Sequence, residues 1–378
     1  MYRSLAALLA LLCVAAAPCF ADMPIPSPPN IDATAYILVD FQTGKVLAAK
    51  NAMQELPMAS LTKLMTTYIV FQELASGKLR LDEPVTISEH AWRQGGSRTF
   101  VQVGTQVPVR SLILGMIVQS GNDATVALAE RIAGTEDAFV QMMNATAQRL
   151  GLTHTHYLDS TGLPAPGHYT TARDLSLLTA ALIRDFPQYY HWFSVKEFKY
   201  NGILQQNRNG LLNTDPGVDG LKTGHTDAAG YCLVASQHRR GMRLISVVLG
   251  GQTFTGRESS SAALLNYGFT FYDTKLVARA RTALAAATVW KAQAPSVTVG
   301  IDHDLYVTVP RDDSRAVQTS LQIEPRLMAP LSPQSTIGRL IVTDRGKTIA
   351  TAPLHPLAAD GAGGWWRNLV DSVRLWLS

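Results

Sequence analysis

The stretch LPMASLTKLMTTYIVFQELASG, residues 56–77, constrains this chain more than any other. Apolar residues recur at Leu61, Leu64, Met65, Tyr68, Ile69 and Leu74, the rhythm of a helix that ends near Gly77. Pro57 breaks the chain ahead of it, so Ser60 falls at or near the helix start. Lys63 follows one turn later, inside mostly apolar sequence. A buried ammonium is costly unless it is paired or loses its proton. Either Lys63 faces solvent, or its burial serves chemistry on Ser60, which shares its helix face at i, i+3.

Around this helix the pattern changes period several times. AYILVDFQTGKVLAAKN alternates about Thr43-Gly44 and reads as a β-hairpin. VRSLILGMIVQSGNDATVALAERIAG offers two helical segments flanking Ser120-Gly121-Asn122. From GVDGLKTGHTDAAGYCLVAS onward the period is strand-like, with runs at 231–236 and 242–249 joined at Arg240-Gly241, and a helix over about 256–272 follows. Helices with an antiparallel sheet drawn from both ends of residues 22–275 imply an α+β domain. Residues 276–360 alternate strictly in SVTVGIDHDLYVTVP and IGRLIVTDRGKTIATAPL, the mark of a small all-β, sandwich-like domain. The tail, 361–378, puts Trp366, Leu369, Val370, Val373, Trp376 and Leu377 on one helical face and Arg367, Asn368, Asp371 and Arg374 on the other. Behind the Gly-rich segment 361–364, such a helix is expected to detach and lie on a membrane surface without crossing it, a terminal helix docked on its own domain being the plain alternative.

The first 21 residues read as an export signal: Arg3, an apolar run from Leu5 to Ala17, and small residues up to Ala21. Of the three cysteines only Cys232 lies beyond it, so no internal disulfide is expected. With 16% charged residues, a net charge of +4 and no Lys/Arg run, nucleic acid is not an expected partner.

Three short elements carry chemistry. Ser60-x-x-Lys63 offers a hydroxyl beside an amine, and the first-turn N–H groups of a helix lack intrahelical partners, so one can serve an oxyanion. Ser120-Gly121-Asn122 places a hydroxyl and an amide two residues apart in a turn, where a helix cap is the plain alternative. Lys222-Thr223-Gly224 heads the strand-like run, where a solvated edge is the plain alternative.

Together, once each and in this order, the three resemble the penicillin-binding proteins and serine β-lactamases. With NRNGLL, SGNDA, TFTGRE and GVDGLKTGHTDAAGYCLVAS, nearly the whole chain resembles the low-molecular-mass D-alanyl-D-alanine carboxypeptidases of the penicillin-binding protein 5 type. The resemblance implies a serine β-lactamase/transpeptidase-like domain, a small β-domain and an amphipathic anchor. It implies Ser60 as nucleophile, Lys63 as its base and Ser120 as a proton shuttle. It implies Asn122 as a substrate-positioning amide, with Lys222 and Thr223 holding the substrate's terminal carboxylate. Gly224 would let the peptide approach the strand, and the N–H groups of Ser60 and His225 would form the oxyanion hole. The role of the His225 imidazole is left open between a functional side chain and a plain strand-end histidine. Arg208 matches an arginine near the carboxylate pocket, or is a turn arginine. Burial and the neighbouring Lys222 are expected to lower the Lys63 pKa.

The implied partners are a peptidoglycan stem peptide ending in D-Ala-D-Ala, β-lactams as covalent inhibitors, and the periplasmic face of the cytoplasmic membrane. No metal or cofactor is implied. A serine β-lactamase or a DD-endopeptidase would use the same acylation site. The former needs a water-activating carboxylate, for which Asp159, Asp174, Asp185 and Glu197 lie in the interval. A His154/His156/Asp159 metal set is disfavoured by its loop-like surroundings.

Overall fold

The computed structural model describes residues 25–311 and 316–377, so the expected export signal lies outside the described residues. A five-stranded antiparallel sheet joins both ends of the first domain. Its strands are β1 (Ala35–Asp40), β2 (Val46–Lys50), β3 (Val218–Thr226), β4 (Gly230–Arg239) and β5 (Met242–Gly251), in the order β2-β1-β5-β4-β3. Both faces are covered. On β1, Ile37 and Val39 point into one apolar cluster while Tyr36 and Leu38 point into the other. That two-sided burial explains why β1 reads as a continuous apolar run.

The longest helices that serve the larger cluster are α1 (Lys63–Ala75), α2 (Asn122–Ala133), α3 (Glu136–Arg149) and α4 (Ala172–Asp185). The helix α5 (Phe254–Phe271) covers the opposite face of the sheet. The periodicity of the sequence does not single out α3 and α4, yet each begins at a threonine cap. Thr135 accepts from the Ala138 N–H and Thr171 from the Asp174 N–H. One edge strand of the sheet is β3, and it packs against the short 3-10 turn Ala59–Thr62 that leads into α1.

The helix α5 passes directly into the strand Tyr272–Ala278 of the second domain. Side chains clamp that junction. Asp40 accepts from the Thr43 N–H and hydroxyl through one oxygen, at 2.8 Å each, and from Thr274 through the other at 2.6 Å. Thr43 also bonds Thr308 at 2.6 Å, and Lys45 donates to the Thr308 carbonyl at 2.9 Å. The second domain contains a six-stranded sheet and a strand pair, 272–278 with 305–310. Leu340, Val299 and Leu354 lie at the centre of its core.

The terminal helix α6 (Trp365–Leu377) does not hang free, contrary to the expectation of a detached segment. Gly363 donates to the Lys291 carbonyl at 2.7 Å, and a Cβ there would meet the Ala292 carbonyl. Buried Asp371 accepts from the Lys291 N–H at 2.8 Å, and Arg367 donates to the Gln293 carbonyl. The helix is docked by its polar face. Its other face leaves Trp365 77% and Trp376 85% exposed, with Trp366, Leu369, Val373 and Leu377 beside them. Arg374 is also exposed, and Val370 is half-buried.

Candidate active site

Ser60 is presented by a strained turn. Ala59 before it has φ +47°, and the hydroxyl of Thr62 closes the turn by donating to the Ala59 carbonyl at 2.9 Å. Two glycines make room for this turn. A Cβ on Gly162 (φ +91°) would lie 1.8 Å from the Ala59 carbonyl oxygen. A Cβ on Gly224 would lie 3.0 Å from the Met58 carbonyl and 3.2 Å from the Ala59 side chain. Gly224 therefore makes room for the nucleophile turn itself.

One helical turn on, the side chain of Lys63 is fully buried, as its apolar neighbours suggest. Its Nζ lies 3.0 Å from Ser60 Oγ, 2.7 Å from Asn122 Oδ1 and 2.6 Å from the Thr161 carbonyl. Two of these partners accept only. The third is a hydroxyl. A neutral amine can donate its two protons to the carbonyl oxygens and turn its lone pair to Ser60. Burial pushes the amine from its ordinary 10.5 down to about 7; the Asp159 carboxylate pulls upward, and the Arg208 guanidinium pushes further down. Arg208 thus acts on Lys63 as a cation that the sequence does not suggest, beside the expected Lys222. The repulsion between the two lysines shows on Lys222, which is held well below its ordinary value by burial, then by Lys63, Arg208 and Arg257.

Ser120 sits in the left-handed region (φ 64°) between α2 and the preceding helical segment. Its Oγ is buried without a hydrogen-bond partner among the described residues, so no bond joins it to Lys63. Asn122 is more committed than a free substrate amide would be. Its oxygen accepts from Lys63 and its nitrogen donates to the Gly95 carbonyl at 2.7 Å, leaving one N–H.

Lys222 and Thr223 lie inside β3, both buried, and Lys222 Nζ donates to the Thr223 carbonyl at 3.0 Å. Neither is on the solvated strand end that LKTG alone would permit. His225 is exposed, and its ring packs on Tyr231 with centroids 4.0 Å apart. Arg208 is exposed and donates through Nε to the Gln119 carbonyl at 3.1 Å. Arg257, in TFTGRE at the head of α5, could by its position be an ordinary surface charge, yet it is buried against the rings of Phe254 and Tyr231. It donates to the carbonyls of Gly224 and Arg208. Lys63, Lys222, Arg208 and Arg257 thus form one group of basic side chains around the middle of β3.

The other candidates lie elsewhere. His154 pairs with Glu55, and His156 bonds the Gly167 carbonyl. Asp174 accepts from the His154 N–H, Asp185 from the Tyr68 hydroxyl, and Glu197 from Gln206. Only Asp159 borders the site. Burial would raise its carboxyl, but bonds from His168, Gly162 and Thr161 outweigh it and bring it down to about 2. So weak a base, so fully engaged, is not equipped to activate water, which weighs against a β-lactamase of that type. An apolar cleft of about 300 Å³ opens beside Ala59, walled by Leu163, Pro164 and Thr226.

Residues 23–253 match the family D-alanyl-D-alanine carboxypeptidase. The chain belongs to that family. Residues 272–361 match the penicillin-binding protein 5 C-terminal domain. D-alanyl-D-alanine carboxypeptidase DacA of Escherichia coli K12 is 44% identical over 359 residues, covering 93% of this chain and 89% of the relative. DacC of the same organism is 41% identical, covering 99% and 96%. The crystal structure of penicillin-binding protein 5 from Haemophilus influenzae superposes with a TM-score of 0.85 at 41% identity, covering 89% of this chain and 99% of that one. Penicillin-binding protein D2 of Listeria monocytogenes, solved in its ampicillin-bound form, gives 0.59 at 32% identity over 64% of this chain and all of that one.

Proposed function

We propose that this carboxypeptidase removes the terminal D-alanine from peptidoglycan stem peptides through an acyl-enzyme on Ser60. The observation that carries the reading is the buried Lys63 amine, held between two carbonyl oxygens with the Ser60 hydroxyl as third neighbour. A serine hydroxyl needs an adjacent base, and an amine lowered to about 7 is neutral often enough to act as one. Ser60 Oγ gives its proton to Lys63 as it attacks the carbonyl of the penultimate D-Ala. The oxyanion is met by the N–H groups of Ser60 and His225. Ser120, whose hydroxyl has no hydrogen-bond partner among the described residues, passes the proton to the departing amine. Lys222, with Thr223, Arg208 and Arg257 around it, attracts the terminal carboxylate. That anion would restore the charge that burial and three neighbouring cations disfavour on Lys222. Water then hydrolyses the ester. A β-lactam, whose ring carbonyl and carboxylate imitate D-Ala-D-Ala, acylates the same serine.

The test is product analysis with a pentapeptide ending in D-Ala-D-Ala. Free D-alanine and a tetrapeptide support the reading. Cleavage only of cross-linked dimers would indicate an endopeptidase, and rapid turnover of penicillin a β-lactamase.

We further propose that the protein is exported and works at the outer face of the cytoplasmic membrane. The exposed tryptophans of α6 support this, because such rings favour the headgroup zone. No helix among the described residues is long and apolar enough to cross a bilayer. Deletion from Gly363 onward is expected to move the protein from the membrane to the soluble fraction with D-alanine release retained. An unchanged distribution would refute the anchor.

A further inference from the structure

Beneath the nucleophile lies a pair of titratable side chains to which the reaction above gives no part. His168 is almost fully buried, and its Nδ1 lies 3.5 Å from Asp159 Oδ2. Each residue reaches a backbone carbonyl that matters to the chemistry. Asp159 Oδ1 accepts from the N–H groups of Thr161 and Gly162 and from the Thr161 hydroxyl, at 2.7, 2.5 and 2.9 Å. Those bonds shape the tight turn whose Thr161 carbonyl accepts from Lys63. Neighbouring Ser160 is pinned to the scaffold, its N–H and hydroxyl by Glu136 and its carbonyl by Thr66 of α1.

The other arm runs through the ring. His168 Nε2 lies 2.9 Å from the Thr62 hydroxyl, and that hydroxyl donates to the carbonyl of Ala59, the peptide joined to Ser60. Since the Thr62 proton is directed at Ala59, the ring must donate through Nε2. At Nδ1 a neutral ring accepts from the Leu158 N–H, at 3.3 Å, whereas a protonated one donates to Asp159. Tyr157 meets the ring edge-on from the same loop.

We propose that Asp159 and His168 are positioning residues for the reaction. Asp159 sets the turn and the charge that Lys63 experiences, and His168 holds the Ala59 carbonyl and with it the setting of Ser60. This rests on the roles proposed above for Ser60 and Lys63. The charged groups that bear on Lys63 are the carboxylates of Asp159, Asp123 and Glu136 and the cations Arg208 and Lys222. Asp159 is the strongest of the carboxylates acting to keep the amine protonated.

The experiment is the pH profile of acylation of the full chain by a fluorescent penicillin. Asp159→Asn keeps the acceptor oxygen for the turn and removes the charge. Its rate, relative to its own plateau, is expected to rise roughly threefold on the acid limb, as the amine releases its proton at lower pH. His168→Ala is expected to lower the plateau about tenfold, and His168→Gln, which can still donate to Thr62, to restore most of it. A profile of Asp159→Asn that superimposes on the parent's at equal melting temperature overturns the tuning role. Equal plateaus for His168→Ala and the parent overturn the positioning role, and this second arm stands if Asp159→Asn fails to fold. Failure of the underlying reading looks different: Ser60→Ala would still be labelled.

Discussion

Helices α1 and α6 are both 13 residues long, and they obey opposite rules about what belongs inside. The first is buried over most of its length and takes a cation into the interior with it. The second buries a carboxylate and turns tryptophans outward. Apolar surface is ordinarily removed from water, and charge kept in it. Each helix departs from that rule where its neighbours give it another medium. Lys63 has three hydrogen-bond partners and a lowered pKa; Asp371 has a backbone N–H and the guanidinium of Arg367, 3.8 Å away. The comparison teaches that a misplaced residue is informative in either direction. A buried amine points to chemistry, and an exposed indole to a partner surface.

Several substitutions would break or sharpen the contrast. The largest effect is expected from Ser60→Ala. Loss of D-alanine release and of penicillin labelling should exceed about a thousandfold. The melting temperature should barely move, since no side-chain cap bond is lost at that turn. Mass spectrometry of the penicillin-treated protein checks it. Next comes pH. Because the folded Lys63 holds its proton only below about 7, the base is lost as pH falls through that value. Acylation should then drop about tenfold per unit on the acid side. Stability runs the same way: the unfolded lysine keeps its proton up to about 10.5, so the folded state gains as pH rises from 7 toward 10.5.

Gly162→Ala should follow. Its Cβ would meet the backbone oxygen of Ala59, and the strain should cost about 2–4 kcal/mol, read as a lowered denaturation midpoint. Least disruptive is Asp371→Ala, which strips one buried acceptor from the docking face of α6. About 1 kcal/mol of local stability should go, visible as faster hydrogen exchange over 365–377 with D-alanine release intact.

Much of this was legible in the residues. The hairpin about Thr43-Gly44 and the strand runs after 217 follow from period and spacing, because local chemistry determines them; the three short elements around Ser60, Ser120 and Lys222 are readable together only through the family resemblance they carry. What escaped is what long-range contact decides. Arg257 reads as a surface charge until β3 and Phe254 close over it. Asn122 reads as a free amide until Lys63 and Gly95, 59 and 27 residues away, claim it. The Gly-rich segment before α6 reads as a hinge, because glycine permits motion but does not reveal whether a neighbour forbids it.

The clamp of Asp40, Thr43, Thr274 and Thr308 has one further consequence. With no linker between α5 and the strand that follows, the cleft cannot swivel on its support. Whatever holds the terminal helix therefore also fixes the working height of Ser60, like a blade set on a rigid post. Which layer of a polymer such an enzyme can trim is then a matter of the post's length and not of how far a tether can wander.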